Sequence, residues 1–225
     1  MASPERSLMS PRMTTRLASK AEAERWKEIA RFLHELGQLK RVQRSGWWLA
    51  GVRQAESVAE HTFRTAAIAY ILAELEGASA DRAASLAVFH DTAETRVNDS
   101  HRLQRLYADW AGVEEKVSRD QLESLPSRLA DKLAGLLAEA REEETLEARV
   151  ARDADRLECL LQAREYAARG HGVEPFLRTS LAELTTRSAR RLARAILGIS
   201  PGSWHQKTLA LKRPVAPRRR AKRSR

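Results

Sequence analysis

Helical periodicity runs through almost the whole of this chain, and no alternating apolar and polar stretch long enough to be a strand interrupts it. In "EAERWKEIARFLHELG" (22–37) the residues Trp26, Ile29, Ala30, Phe32, Leu33 and Leu36 recur at helical spacing, and Gly37 stops them. "SVAEHTFRTAAIAYILAELEG" (57–77) opens with Ser57 three residues before Glu60, a capping-box pattern, and closes at Gly77. "SADRAASLAVFHDTAE" (79–94) again begins with a serine and an acid. "SHRLQRLYADWAG", "SRLADKLAGLLAEA", "ETLEARVARDADRLECLLQAREYAARG" and "EPFLRTSLAELTTRSARRLARAILG" continue the pattern, in a composition rich in the helix formers Ala, Leu, Arg and Glu. The pattern predicts an all-α fold. The long irregular stretch in the first half is "QLKRVQRSGWWLAGVRQAE" (38–56), and loops of that length inside a compact domain are usually functional.

At 225 residues, with 43% apolar and 31% charged residues, the chain suits one sizeable soluble core. No run approaches the roughly 18 apolar residues of a membrane span, and the N-terminal residues lack an apolar stretch of signal-peptide length. A single cysteine, Cys159, rules out an internal disulfide framework, so a reducing cytoplasm is the expected compartment. The net charge of +10 resembles a nucleic-acid signature until it is located. Residues 201–225 contribute +9 and residues 1–20 contribute +3, which leaves −2 for residues 21–200. The expected organisation is therefore a disordered N-terminal segment (1–20), one folded domain (21–200) and a basic, disordered C-terminal tail (201–225). Such a tail can touch nucleic acid through nonspecific phosphate attraction, or can simply solubilise the chain.

Within "SLAVFHDTAETRVNDSHR" (85–102) an apolar helix changes character at His90-Asp91. Adjacent residues on a helix diverge by about 100°, so both can face one ion only if other helices complete its shell. His61 stands where an apolar residue would suit its stripe; taken alone it is a hydrogen-bonded core histidine. Asp155 in "ARDADRLECL", taken alone, is a surface acid on a long helix. Together, two imidazoles and two carboxylates make a mixed nitrogen and oxygen shell whose two negative charges match a divalent ion. No thiolate is on offer, so a closed structural zinc site is not expected. The set suits Mn, Fe, Co, Ni or Zn in roughly six-coordinate geometry.

The blocks "ESVAEH", "FHDTAE" and "DADRLE" resemble the signature of the HD-domain metal-dependent phosphohydrolases. More narrowly, "GQLKRVQRSGWWLAGVRQAESVAEHTFR" resembles the opening of the 5′-deoxynucleotidase branch, in which a "QLKRV-x-R-x-GW" loop precedes the first ligand histidine. The likeness extends over roughly residues 26–200. It implies an HD-domain helical bundle with His61, His90, Asp91 and Asp155 as metal ligands, and a chain that pairs as a homodimer. It also implies hydrolysis of deoxynucleoside 5′-monophosphates to nucleoside and phosphate. The alternatives are an HD hydrolase of another phosphorylated nucleotide (cyclic nucleotide, nucleoside triphosphate or (p)ppGpp), or a helical nucleic-acid-binding protein with a vestigial site.

Glu94 lies four residues after His90, one helical turn on along the same face, and Asp99 follows in "VNDSHR". By resemblance both are catalytic acids, one handling the water's proton and the other the leaving hydroxyl, in an order the residues leave open. The branch usually reads Gly-Asp where this chain has Asn98-Asp99; Asn tolerates the left-handed backbone that Gly would take. His101 is a second proton donor or a helix N-terminal surface histidine. Arg44 and Trp47 in "RSGWW" are the substrate candidates. The guanidinium can grip a phosphate, and the indole by resemblance crowds a ribose 2′-hydroxyl, unless it simply buries a loop. Arg156 is a further phosphate candidate.

Overall fold

The computed structural model describes residues 11–211, with side chains from Lys20 onward. Among the described residues it is all helix. A lone antiparallel bridge between Gln43 and Ser57 is the extended pairing outside the helices. The helices are α1 (Pro11–Leu36), α2 (Val58–Glu76), α3 (Ala80–Phe89), α4 (Glu94–Val97), α5 (Arg102–Arg105) and α6 (Trp110–Leu122). They continue with α7 (Ser127–Glu142), α8 (Leu146–Ala167), α9 (Glu174–Ala182), α10 (Arg187–Gly198) and α11 (Ser203–Leu211). No described helix is long and apolar enough to cross a membrane.

Three helices make the centre: α2, α3 and α8 pack on one another, with α7 and α10 laid against them and α9 along α8. Their shared core holds Ile68, Leu72, Leu86, Val150, Leu157 and Leu160. The fully buried Ala69, Ala73, Ala83 and Ala154 let the helices approach closely. A smaller core under the 38–56 segment is built on Trp47, Tyr166 and Val173. It anchors the 3₁₀ turn Ser45–Ala50, while Leu39 of the 3₁₀ turn Gly37–Lys40 packs separately with Val42 and Val58.

Caps set the ends where the sequence signals them. Ser57 and Glu60 form the reciprocal capping box of α2, the Ser57 N–H donating to Glu60 at 2.7 Å. Gly77 takes φ +73° to end that helix. Three helices depart from the periodicity. The 79–94 helix stops at Phe89, with His90 at its C-cap and a turn before Glu94. "SHRLQRLYADWAG" breaks after Arg105, because Asp109 accepts from Gly112 N at 3.1 Å and starts a new helix. The 174–198 stretch breaks at 183–186. There the buried carboxylate of Asp153 accepts the backbone N–H groups of Thr185 (2.9 Å) and Thr186 (2.7 Å), while the Thr186 hydroxyl caps α10.

Both ends are helical where they are described. Residues 11–20 belong to α1, whose first residue is Pro11, a residue preorganised for that place. Residues 203–211 form α11, which buries none of its residues. The remaining parts of the expected disordered ends, 1–10 and 212–225, lie outside the described residues.

Leu157 is fully buried between the central helices, whereas Leu75 on α2 is 62% exposed. Leu157→Ala should lower the unfolding free energy by about 2–5 kcal/mol in urea titration, and Leu75→Ala should change it by less than about 0.5 kcal/mol. Equal effects would contradict this assignment of the core.

Candidate metal centre

His61 faces inward from the first turns of α2 because it shares a stripe with Val58, Thr65 and Ile68. It has no exposed surface. Its Nδ1 lies 2.7 Å from Glu158 Oε2 on α8, so that nitrogen carries the proton and donates it to the carboxylate. The other nitrogen, Nε2, is left to point at Asp155 Oδ1, 3.2 Å away, and at Asp91 Oδ2, 3.7 Å away. The Thr65 hydroxyl lies 3.5 Å from it and donates to the His61 carbonyl at 2.9 Å.

His90 repeats the arrangement by a different route. At the C-cap of α3 its Nδ1–H donates to the Ala87 carbonyl at 2.7 Å, which leaves Nε2 directed at Asp91 Oδ2, 3.1 Å away. That contact lacks hydrogen-bond geometry, and His90 Nε2 and Asp91 Oδ2 are both buried without a hydrogen-bond partner. The two rings lie 5.7 Å apart. His61, His90 and Asp155 place ligand atoms within 4.8 Å of one another. Donors bound at about 2.1 Å and at right angles lie about 3.0 Å apart, so this set could hold a small divalent cation. Two carboxylates and two neutral imidazoles supply a −2 shell. Burial and Arg44 disfavour a charged His61, yet Asp155 and Glu158 lift its pKa to about 10. The cluster favours positive charge at its centre.

The break after α3 matters here. By ending the helix at His90, the chain frees Asp91 from the helical divergence that would carry it off the site. Asp155 comes from the far side on α8, its Oδ2 accepting from Arg156 Nη1 at 2.7 Å. Arg156 is also paired with Glu183 at 2.6 Å, so both of its known partners are acids.

Arg44 stands over the cluster from the 38–56 segment. Its Nη1 is 2.7 Å from Asp99 Oδ1 and 3.7 Å from Asp91, and its Nη2 is 3.8 Å from Asp155. The other oxygen of Asp99 accepts from Ser45 N at 2.6 Å and lies 2.8 Å from the Ser45 hydroxyl. Asp99 is thus occupied in holding the Arg44-Ser45 turn. Glu94 is different: it is buried, and its Oε2 has no hydrogen-bond partner. Burial first, then repulsion from Asp91 and Asp99, pushes its pKa well above the usual carboxylate range, which favours the protonated form. Trp47 is 2% exposed, wedged against Tyr166 and Phe176, with Nε1 donating to Glu56 Oε1 at 3.0 Å. It lies beneath the loop with no open indole face. His101 serves as the N-cap of α5, accepting from Gln104 N at 3.3 Å.

Residues 36–200 match the HD domain family. The chain belongs to the HD-domain family. It is 35% identical over 141 residues to 5′-deoxynucleotidase HDDC2 of Xenopus laevis, an alignment covering 62% of this chain and 70% of that one. The human 5′-deoxynucleotidase HDDC2 is 33% identical, over 62% and 69% of the two chains. Among solved structures, a "predicted metal-dependent phosphohydrolase" from Magnetospirillum magnetotacticum superposes with TM-score 0.63 at 26% identity, covering 78% of this chain and 92% of that one.

Around the histidine and aspartate cluster of this HD domain lies a supporting ring that spacing did not reveal. Glu158 has almost no exposed surface. Its second oxygen takes two hydrogen bonds from Arg64, Nε at 2.9 Å and Nη2 at 2.7 Å. Arg64 in turn reaches Gln162 at 2.6 Å and Glu165 at 2.7 Å. The one available signal was the place of Glu158 three residues after Asp155 in "DADRLE", one turn along the same helix face.

Asn98 adopts φ +62° and ψ 168°, a region that essentially only glycine occupies without strain, and so turns Asp99 back towards Ser45. The sequence expectation of a left-handed φ is met in sign, but the ψ places the residue outside the αL well. Asn98→Gly should therefore raise stability by about 1 kcal/mol, read as a higher urea midpoint at unchanged slope. A lower midpoint would show that the asparagine is unstrained.

Proposed function

We propose that this HD-domain protein is a metal-dependent phosphomonoesterase that converts deoxynucleoside 5′-monophosphates and water to deoxynucleosides and inorganic phosphate. One observation carries the reading: two histidines hold their Nδ1 protons on fixed acceptors and turn both Nε2 atoms onto one pair of carboxylates. The names of the Xenopus laevis and human relatives support the substrate class.

In this reading His61, His90, Asp91 and Asp155 hold the divalent transition metal, one of Mn, Fe, Co, Ni or Zn. A cation there supplies Lewis-acid activation of water and neutralises charge on the phosphoryl oxygens. Arg44 orients the phosphate, presenting a planar fork that Asp99 and Ser45 hold in place. Glu94, kept protonated by burial and by its acidic neighbours, gives its proton to the departing 5′ oxygen of the nucleoside. Asp99 acts through Arg44, as a positioning residue rather than the second acid. Because Trp47 is sealed under the loop, sugar selectivity is assigned to the shape of the Ser45–Ala50 turn it anchors, not to stacking on an open ring. The homodimer belongs to the same reading. It is supported by the exposed stripe Phe63, Tyr70 and Ile71 along α2.

His90→Ala and Asp91→Ala should lose bound metal by elemental analysis. They should lose deoxynucleotidase turnover together with it, by more than the roughly 10–100-fold that removal of an outer-shell partner costs. A panel of phosphorylated nucleotides should place deoxynucleoside monophosphates above their ribo counterparts. Full turnover in a metal-free double variant, or preference for a cyclic nucleotide or triphosphate, would overturn the assignment.

A further inference from the structure

α10 carries a surface that the phosphohydrolase reading does not use. Its Ala189, Ala193 and Ile196 are buried where the helix packs on α8 and α2. Arg187, Arg190, Arg191 and Arg194 all fall on the opposite side, within an arc of about 100° at 3.6 residues per turn. All four are exposed, and the helix contains no acid. Among the described residues none of the four is held in an ion pair. Arg190 Nε donates to the Leu184 carbonyl at 3.0 Å, and Glu76, which accepts from Ser188 N, is a nearby acid that feels Arg187 and Arg191. Residues 21–200 carry −2 in total, so the rest of that body is acidic while this one helix carries +4. The charge is segregated, not merely abundant.

The sequence beyond α10 extends the same sign. Residues 201–225 add nine Lys and Arg and no acid, beginning only a few residues past the helix. Within that stretch Trp204 is 72% exposed on α11, in the same nine-residue helix as Lys207. We propose that the arginine face of α10, together with the exposed Trp204 and Lys207 of α11, is a docking surface for single-stranded nucleic acid. Guanidinium groups in a row grip phosphate oxygens through paired hydrogen bonds, and an exposed indole offers a stacking platform that tolerates any base. A lipid surface fits α10 less well. A helix lying in a bilayer interface buries its apolar face in the membrane, and that face of α10 is already inside the protein core. The surface is independent of whatever reaction the metal centre runs.

The test is fluorescence anisotropy of a labelled 20-nucleotide single strand of mixed sequence, titrated with the full chain between 50 and 300 mM salt. Arg187→Gln, Arg191→Gln and Arg194→Gln combined should weaken binding at least about 10-fold at 100 mM salt. They should also flatten the slope of log K against log salt by about 2, the counterions of three phosphate contacts on a single strand. Deoxynucleotidase turnover should not change. The corresponding triple Arg→Lys variant should keep the slope. Ala195→Glu, which removes no arginine but sets a carboxylate among them, should weaken binding in the same direction and serves if the triple Gln variant does not fold. The proposal falls if the full chain does not bind the strand at 50 mM salt, or if the Gln and Glu variants bind as the full chain does. It also falls if those variants lose binding to phosphatidylserine vesicles while oligonucleotide affinity stays the same.

Discussion

A single hydrogen bond, from His61 Nδ1 to the buried carboxylate of Glu158, fixes what the rest of the structure can do. It decides the tautomer of a fully buried imidazole, and with it the direction of the remaining lone pair. A buried carboxylate left unpaired would be costly, and breaking a buried ion pair by removing one partner typically costs about 3–5 kcal/mol. Arg64 supplies the compensating charge from one turn further along α2, and Gln162 and Glu165 hold Arg64 in turn. The same bonds tie α2 to α8, so the polar bracket that aims His61 is also a seam of the fold.

From that seam the site assembles through the interruptions of the helices rather than through their regular parts. α3 ends so that His90 and Asp91 can serve one centre, and the strained turn at Asn98 returns Asp99 to the loop that carries Arg44. Trp47 anchors the same loop from beneath. Glu94 is left as an acid that cannot comfortably ionise beside Asp91 and Asp99. Two carboxyl groups five residues apart thus acquire different properties: Asp99 is saturated with donors, whereas Glu94 has none on one oxygen. In the proposed reading, that separation of environments allots a proton-donating role to one and a positioning role to the other.

Much of this was legible in the residues. The helical stripes and the Ser57–Glu60 box located α2 correctly, and the His61, His90-Asp91 and Asp155 pattern named the four side chains that the structure brings together. What the pattern could not carry was tertiary. Glu158 and Asp153 sit mid-helix, where an acid reads as a solvated surface residue; only packing shows that one aims a histidine and the other caps a distant helix through Thr185 and Thr186. The same long-range cap broke a stretch that periodicity joined from 174 to 198. Trp47 could have stacked on a ligand or buried a loop, and Tyr166 and Phe176, more than a hundred residues away, decide for burial.

The central claim is that His61, His90, Asp91 and Asp155 share one cation, and anomalous diffraction from crystals grown with manganese tests it most directly. The account expects one strong peak about 2.0–2.3 Å from both Nε2 atoms and from an oxygen of each aspartate. A peak on the Nδ1 side of His61, beside Glu56 and Glu158, or none within reach of all four side chains, would contradict it.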